Sequence, residues 1–166
     1  MTERYSRPML GLHWLIVVLL VVQYFSSDGA SHVHRATARG TQAEAFDVTL
    51  SNIHIWTGIA VLVLTALRFA VRLFGGVPAP TPGLSVWEER GARIGHIALY
   101  ALLVIVPASG AASVWINPEA GDVHELLTNL LWAVTGVHVA GALWHYVVKR
   151  DGVMSRMAPW LKPLRN

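Results

Sequence analysis

The residues that could do chemistry in this chain are its histidines. Three of them, His124, His138 and His145, lie in one apolar stretch, VHELLTNLLWAVTGVHVAGALWHYVV. At about 100° per residue, steps of fourteen and seven residues bring all three imidazoles to one face of a helix. At about 1.5 Å rise per residue, His124 and His138 stand roughly 21 Å apart along the axis, with His145 about 10 Å further on. Three more histidines lie in other apolar stretches: His13, His54 and His96. Imidazole binds transition metals, moves protons near neutral pH, or both. Ionisable groups in a helix of hydrocarbon length face a bundle interior and mark function.

The elements that must position these histidines are four apolar runs, at residues 8–25, 50–74, 94–115 and 123–148. Each is long enough to cross a hydrocarbon core of about 30 Å as a helix. Of the 166 residues, 54% are hydrophobic and 14% charged, far from the balance of a soluble domain. The expected fold is all-α: a single domain over residues 1–166, an integral membrane four-helix bundle. The first run opens after basic residues, as a signal peptide does, but His13 and Trp14 interrupt it and Gln23, Tyr24 and Phe25 close it. It is read as a retained helix.

The net charge of +3 orients the chain and carries no nucleic-acid signal. Placing both termini and the segment between helices 2 and 3 on one side gives that side Arg4, Arg7, Arg68, Arg72, Arg90, Arg93, Lys149, Arg150, Arg156, Lys162 and Arg165. The other side holds Arg35 and Arg39. Such a bias predicts cytoplasmic termini. There is no cysteine, which excludes disulfides, iron–sulfur clusters and thiolate metal sites.

Between the runs, residues 26–49 read as a polar outer loop in which His32 and His34 are solvated, with a short turn near residues 43–47. Residues 75–83 break any helix with Gly75, Gly76, Pro78, Pro80, Pro82 and Gly83. Residues 84–93 are amphipathic and lie at the interface or begin helix 3. Pro107 and Gly110 predict a kink or close packing in helix 3. Gly152 stands where a helix 4 cap is expected.

Sorted by depth, His54 and His124 share the outer end, while His13, His96, His138 and His145 share the inner half. Imidazoles on different helices at matched depth can clamp a metal, and two layers about 21 Å apart fit two haem groups stacked along the bundle. Gly11, Gly58, Gly136 and Gly141 leave room beside a flat macrocycle, and Arg7, Arg68 and Arg72 are cations for its carboxylates. Arg72 also suits a snorkelling position at a helix end, whereas Arg68 sits deeper. Depth alone does not choose among His96, His138 and His145.

The chain resembles the bacterial cytochrome b561 family, related to the b-type subunits of hydrogenases and formate dehydrogenases. The resemblance lies in RYSRPMLGLHWL (residues 4–15), IHIWTGIAVLVLTALRFAVRL (53–73), IGHIALYALLVIVPASG (94–110) and HELLTNLLWAVTGVHVAGALWHYVVKRDGVMSRM (124–157). It implies two haem b groups with bis-histidine ligation: His13 and His138 on the cytoplasmic-side iron, His54 and His124 on the periplasmic-side iron. It also implies electron transfer between the quinone pool and a periplasmic donor, superoxide or a redox protein. The unassigned His145 and His96, with Lys149 and Arg150, are expected to form a quinone or proton-handling site.

Against the family pattern, the outer turn at residues 116–122 is short and its rim acidic, with Glu119, Asp122 and Glu125. A surface that steers superoxide is basic, and here only Arg35, Arg39 and protonated His32 and His34 supply that. Two rival classes remain. A haem-binding anchor subunit relaying a partner enzyme's electrons would not react with quinone by itself. A cation or proton transporter would want acidic groups at mid-membrane, and the four runs hold none there.

Overall fold

The computed structural model describes residues 5–76, 78–79 and 81–161. Arg4, Lys162 and Arg165, counted above among the inner cations, and Pro80 of the helix-breaking segment lie outside them. The described residues form four long helices and no strand. The helices are α1 (Arg7–Ala38), α2 (Ala45–Gly75), α3 (Val86–Trp115) and α4 (Ala120–Trp144). All four are long and apolar enough to cross a membrane. A π-turn at His145–Lys149 and a short 3₁₀ turn at Met154–Arg156 follow.

Local chemistry sets the helix ends. Pro8 occupies the first turn of α1, where its missing N–H costs nothing. α3 begins at a capping box: the Ser85 hydroxyl accepts from the Glu88 N–H while the Glu88 carboxylate accepts from the Ser85 N–H. The amphipathic stretch therefore opens helix 3 as part of it. α4 runs into the π-turn and stops at Arg150, which takes the left-handed conformation at φ 53°. The cap thus falls two residues before Gly152. Asp151 fixes that corner, its Oδ1 accepting from the Val153 N–H at 3.1 Å.

The polar segment expected to be an outer loop is mostly helix. α1 continues to Ala38 and α2 starts at Ala45, leaving only residues 39–44 as a connection. Polarity places a segment in water but does not stop it from being helical. Here the two helices support each other beyond the apolar zone. Gly29 lets α1 approach so closely that a Cβ there would collide with Leu50 and stand 3.0 Å from the Asp47 carbonyl oxygen. His32 Nδ1 lies 3.1 Å from Asp47 Oδ2.

α1 packs along α2, α2 along α3, and α3 along α4. α1 and α4 meet through side chains, with Tyr24 edge-on to Trp132 at 5.6 Å between ring centres. A small apolar core, Ile16, Val61, Leu102, Leu103, Val106 and Leu131, sits between the helices. Most other large apolar side chains point outward, which suits a lipid surround. In the α1–α2 seam, Gln23 Nε2 donates to the His54 carbonyl at 2.7 Å and to Thr57 Oγ1 at 2.6 Å.

The end of the bundle where α1 begins and α4 stops, the inner end of the sequence reading, is closed by the C-terminal segment. Trp14 Nε1 donates to the Met157 carbonyl at 2.8 Å, and Trp14 packs on Trp160. Lys149 Nζ pairs with Glu88 Oε1 at 2.6 Å, and Arg156 Nη1 donates to the Ala79 carbonyl. Met9 and Ala158 are buried beneath this clamp.

Candidate functional site

The fold brings histidines from separate helices face to face at two levels. Toward the inner end, His13 of α1 and His138 of α4 have ring centres 6.4 Å apart, with planes at 75°. Toward the outer end, His54 of α2 and His124 of α4 have ring centres 6.2 Å apart, with planes at 88°. Two imidazoles bound to opposite sides of one metal ion, each by a bond of about 2.0–2.1 Å, have ring centres roughly 6 Å apart once the ring radius is added. Both pairs are spaced for an ion between them. Fourteen residues of α4 separate the levels, about 21 Å of helix.

The outer pair has its tautomers written into the neighbouring helices. His124 Nδ1 lies 2.9 Å from the Val106 carbonyl oxygen. A carbonyl only accepts, so Nδ1 carries the hydrogen and Nε2 keeps its lone pair for a metal. Gly110 makes this approach possible, because a Cβ there would stand 2.9 Å from His124 Cε1. His54 follows the same logic. Ser26 spends its hydroxyl hydrogen on the Val22 carbonyl at 2.7 Å, so its oxygen accepts from His54 Nδ1 at 3.4 Å. Ser26 is 2% exposed, which keeps water from competing.

The inner level is more crowded. The ring of His96 on α3 stands 5.4 Å from that of His138, on top of the His13 contact. Trp14 lies edge-on to His13 at 5.4 Å. Arg68 is half-buried, its guanidinium over the Tyr100 ring at 5.4 Å, and its Nε has no hydrogen-bond partner. Among the described residues no carboxylate pairs with Arg68. Arg72 is half-buried on the same side and Arg7 is exposed. The hydroxyls of Thr65, Thr128, Thr135 and Tyr100 are also buried without partners.

These features fit a flat group with anionic edges. Gly11, Gly136 and Gly141 are exposed, and apart from their own helix backbone nothing lies within 4 Å of a Cβ built at any of them. A Cβ at Gly58 would instead stand 3.5 Å from Gln23 Nε2, so Gly58 serves the α1–α2 seam more than an open space.

The residues expected to form an inner cluster, His145, His96, Lys149 and Arg150, each have a neighbour of their own, Arg150 Nε donating to the Val147 carbonyl at 3.3 Å. His145 Nδ1 bonds Asp151 Oδ2 at 2.5 Å, Lys149 pairs with Glu88, and His96 packs on His138. The π-turn that begins at His145 is what presents this imidazole to Asp151. At the outer end His32 pairs with Asp47, and the His34 ring packs against Gly121 beside the acidic turn.

Sequence reasoning missed Gln23, Ser26, Ser109, Tyr100 and Asp151. Ser109 Oγ stands 3.3 Å from His124 Nδ1 and also bonds the Val106 carbonyl. Single serines within apolar helices gave no pattern to read. Asp151 was visible as an acid six residues past His145, just beyond the apolar run.

Comparison with known proteins adds an independent line. The sequence profile of the prokaryotic cytochrome b561 family matches residues 4–160. Among curated relatives, a protein of Yersinia pestis named probable superoxide oxidase CybB is 29% identical, with 96% of this chain and 98% of that protein aligned. Cytochrome b562 of Cereibacter sphaeroides is 31% identical over 92% of this chain and 94% of its own length. Cytochrome b561 homolog 1 of Escherichia coli K12 is 22% identical over 95% and 98%. A profile match over nearly the whole chain, on a bundle of four membrane-length helices, places this protein in the prokaryotic cytochrome b561 family, bacterial multi-pass membrane proteins that carry b-type haem and transfer electrons.

Proposed function

We propose that the chain is a di-haem b cytochrome that carries electrons across the bacterial inner membrane from a periplasmic donor to the quinone pool. The observation that carries this reading is the pair of cross-bundle histidine contacts, His13–His138 and His54–His124, at 6.4 and 6.2 Å. A haem held by two imidazoles supplies one-electron transfer and offers no open position for oxygen.

The protein's part is to hold and orient. His13 and His138 hold the inner group, and His54 and His124 the outer one. Val106 and Ser26 keep the Nδ1 hydrogens of His124 and His54 in place, which directs Nε2 to the metal. Gly11, Gly136 and Gly141 leave space for the macrocycles. Arg7, Arg68 and Arg72 meet carboxylates at the inner end. The apolar core between the levels keeps water away from the path between them.

Quinone reduction takes two electrons and two protons. The His145–Asp151 pair is the proton-handling site at the inner end: the carboxylate holds Nδ1, so Nε2 can exchange a proton with a quinone oxygen. His96, beside His138, belongs to the same end. Superoxide is the first donor to test, because the Yersinia pestis relative bears the name of a superoxide oxidase. Two superoxide ions would each lose one electron to become oxygen, and one quinone would become quinol.

Both termini face the cytoplasm in this reading. Among the described residues the inner end carries Arg7, Arg68, Arg72, Arg90, Arg93, Lys149, Arg150 and Arg156, against Arg35 and Arg39 outside.

The deciding experiment is a reduced-minus-oxidised visible spectrum of the purified protein with a haem count. Two low-spin b-type haems per chain are expected, with His54→Ala and His13→Ala each removing one. One haem in the unaltered protein would leave one histidine pair purely structural. No haem would sink the reading.

A further inference from the structure

Two hydrogen-bond donors with no acceptor stand together near the inner level. Arg68 Nε and Tyr100 Oη are both buried and unpartnered, and the Arg68 guanidinium lies over the Tyr100 ring. They come from different helices, α2 and α3, so their meeting is a product of the fold. The Phe69 ring stands at 66° to that of Tyr100, 5.7 Å away, and holds it in place. A guanidinium can only donate, and a phenol donates readily. In an apolar surround, two unpartnered donors on contacting side chains, one of them cationic, call for an anion.

The chain supplies no such anion among its described residues. The acids of α3 nearest in sequence, Glu88 and Glu89, are eleven or more residues before Tyr100, about 16 Å of helix away. Glu88 is engaged by Lys149 and Ser85. Position points to what the anion belongs to. Tyr100 lies four residues after His96, on the same face of α3, and His96 packs on His138 of the inner level.

We propose that Tyr100 Oη and Arg68 Nε together hold one carboxylate of the haem seated between His13 and His138. This rests on the di-haem reading above. Tyr100 is then a positioning residue for that haem, and its hydroxyl sets part of the haem's reduction equilibrium. A carboxylate whose charge is spread into hydrogen bonds repels an incoming electron less, so the donors favour the reduced iron. The α2–α3 groove beside Tyr100, lined by Thr65, Phe69, Val104 and Ile105 with a volume of about 410 Å³, opens to the side. The phosphate of an anionic lipid is therefore the other source of the same chemistry.

The test is Tyr100→Phe, which removes the hydroxyl and keeps the ring under Arg68. Haem per chain is counted first, in the unaltered protein. Then each haem is titrated with a redox dye series, and His54→Ala/Tyr100→Phe assigns the inner haem. Two haems should remain in Tyr100→Phe, with the inner one harder to reduce by up to about tenfold, 59 mV for a one-electron couple, and the outer one unchanged. Arg68→Gln should move the same haem in the same direction. Unchanged titrations of both haems in both variants would overturn the proposal. So would loss of a co-purifying anionic phospholipid, read by mass spectrometry, without a change at either haem. An unaltered protein without haem would overturn the di-haem reading itself, before any variant is compared.

Discussion

The Nδ1 atom of His124 lies 2.9 Å from the carbonyl oxygen of Val106, and Gly110, one turn further along α3, is the reason it can. The contact ties a histidine of α4 to the helix that contains Pro107, and it decides which ring nitrogen is free. A residue with no side chain is therefore part of the outer site.

Gly110→Ala should displace the His124 ring, since its methyl would stand 2.9 Å from Cε1. Overpacking of this kind costs about 1–3 kcal/mol. The expected outcome is loss or altered ligation of one haem, seen in the visible spectrum, with the other retained. Gly91→Ala, also on α3 but with nothing within 4 Å of the added methyl, provides the contrast in thermal stability.

Gln23→Leu should loosen α1 from α2. It removes the donor to the His54 carbonyl and to Thr57 Oγ1. Hydrogen bonds between membrane helices are worth about 0.6–1.7 kcal/mol each, so a loss of about 1–3 kcal/mol is expected in a detergent unfolding titration. His54 should also become less well held, broadening the signal of the outer haem.

Asp151→Asn should leave the haem spectrum untouched and slow quinone reduction. The carboxylate that orients His145 would be replaced by an amide of the same shape, and orienting partners of this kind are worth about 10–100-fold in activity. Stopped-flow reduction of a water-soluble quinone by the pre-reduced protein reads this directly. An unchanged rate would remove His145–Asp151 from the mechanism.

Trp14→Phe should free the C-terminal segment. The indole hydrogen bond to the Met157 carbonyl disappears, a loss of about 0.5–1.5 kcal/mol, while the packing on Trp160 is largely kept. Limited proteolysis should cut between residues 150 and 161 faster than in the unaltered protein, with both haems in place.

The sequence by itself determined the four membrane-length helices, the positions of the histidines along them and the gathering of arginine and lysine toward one end. Those are properties of single segments: apolar length, the 3.6-residue period and the count of charges at each end. It also carried the family resemblance, which the profile match over residues 4–160 bears out. It misjudged the polar segment after Phe25, because two helices that lean on each other at Gly29 and Leu50 stay helical well outside the apolar zone. Contacts between helices were beyond it. Depth alone could not choose among His96, His138 and His145. Only the packed bundle turns His138 toward both His13 and His96, and the π-turn hands His145 to Asp151. Periodicity fixes which face of a helix a side chain leaves, but which neighbour it meets depends on how closely two backbones approach. In this chain small residues and buried hydroxyls set that approach, and they leave no repeating pattern to read.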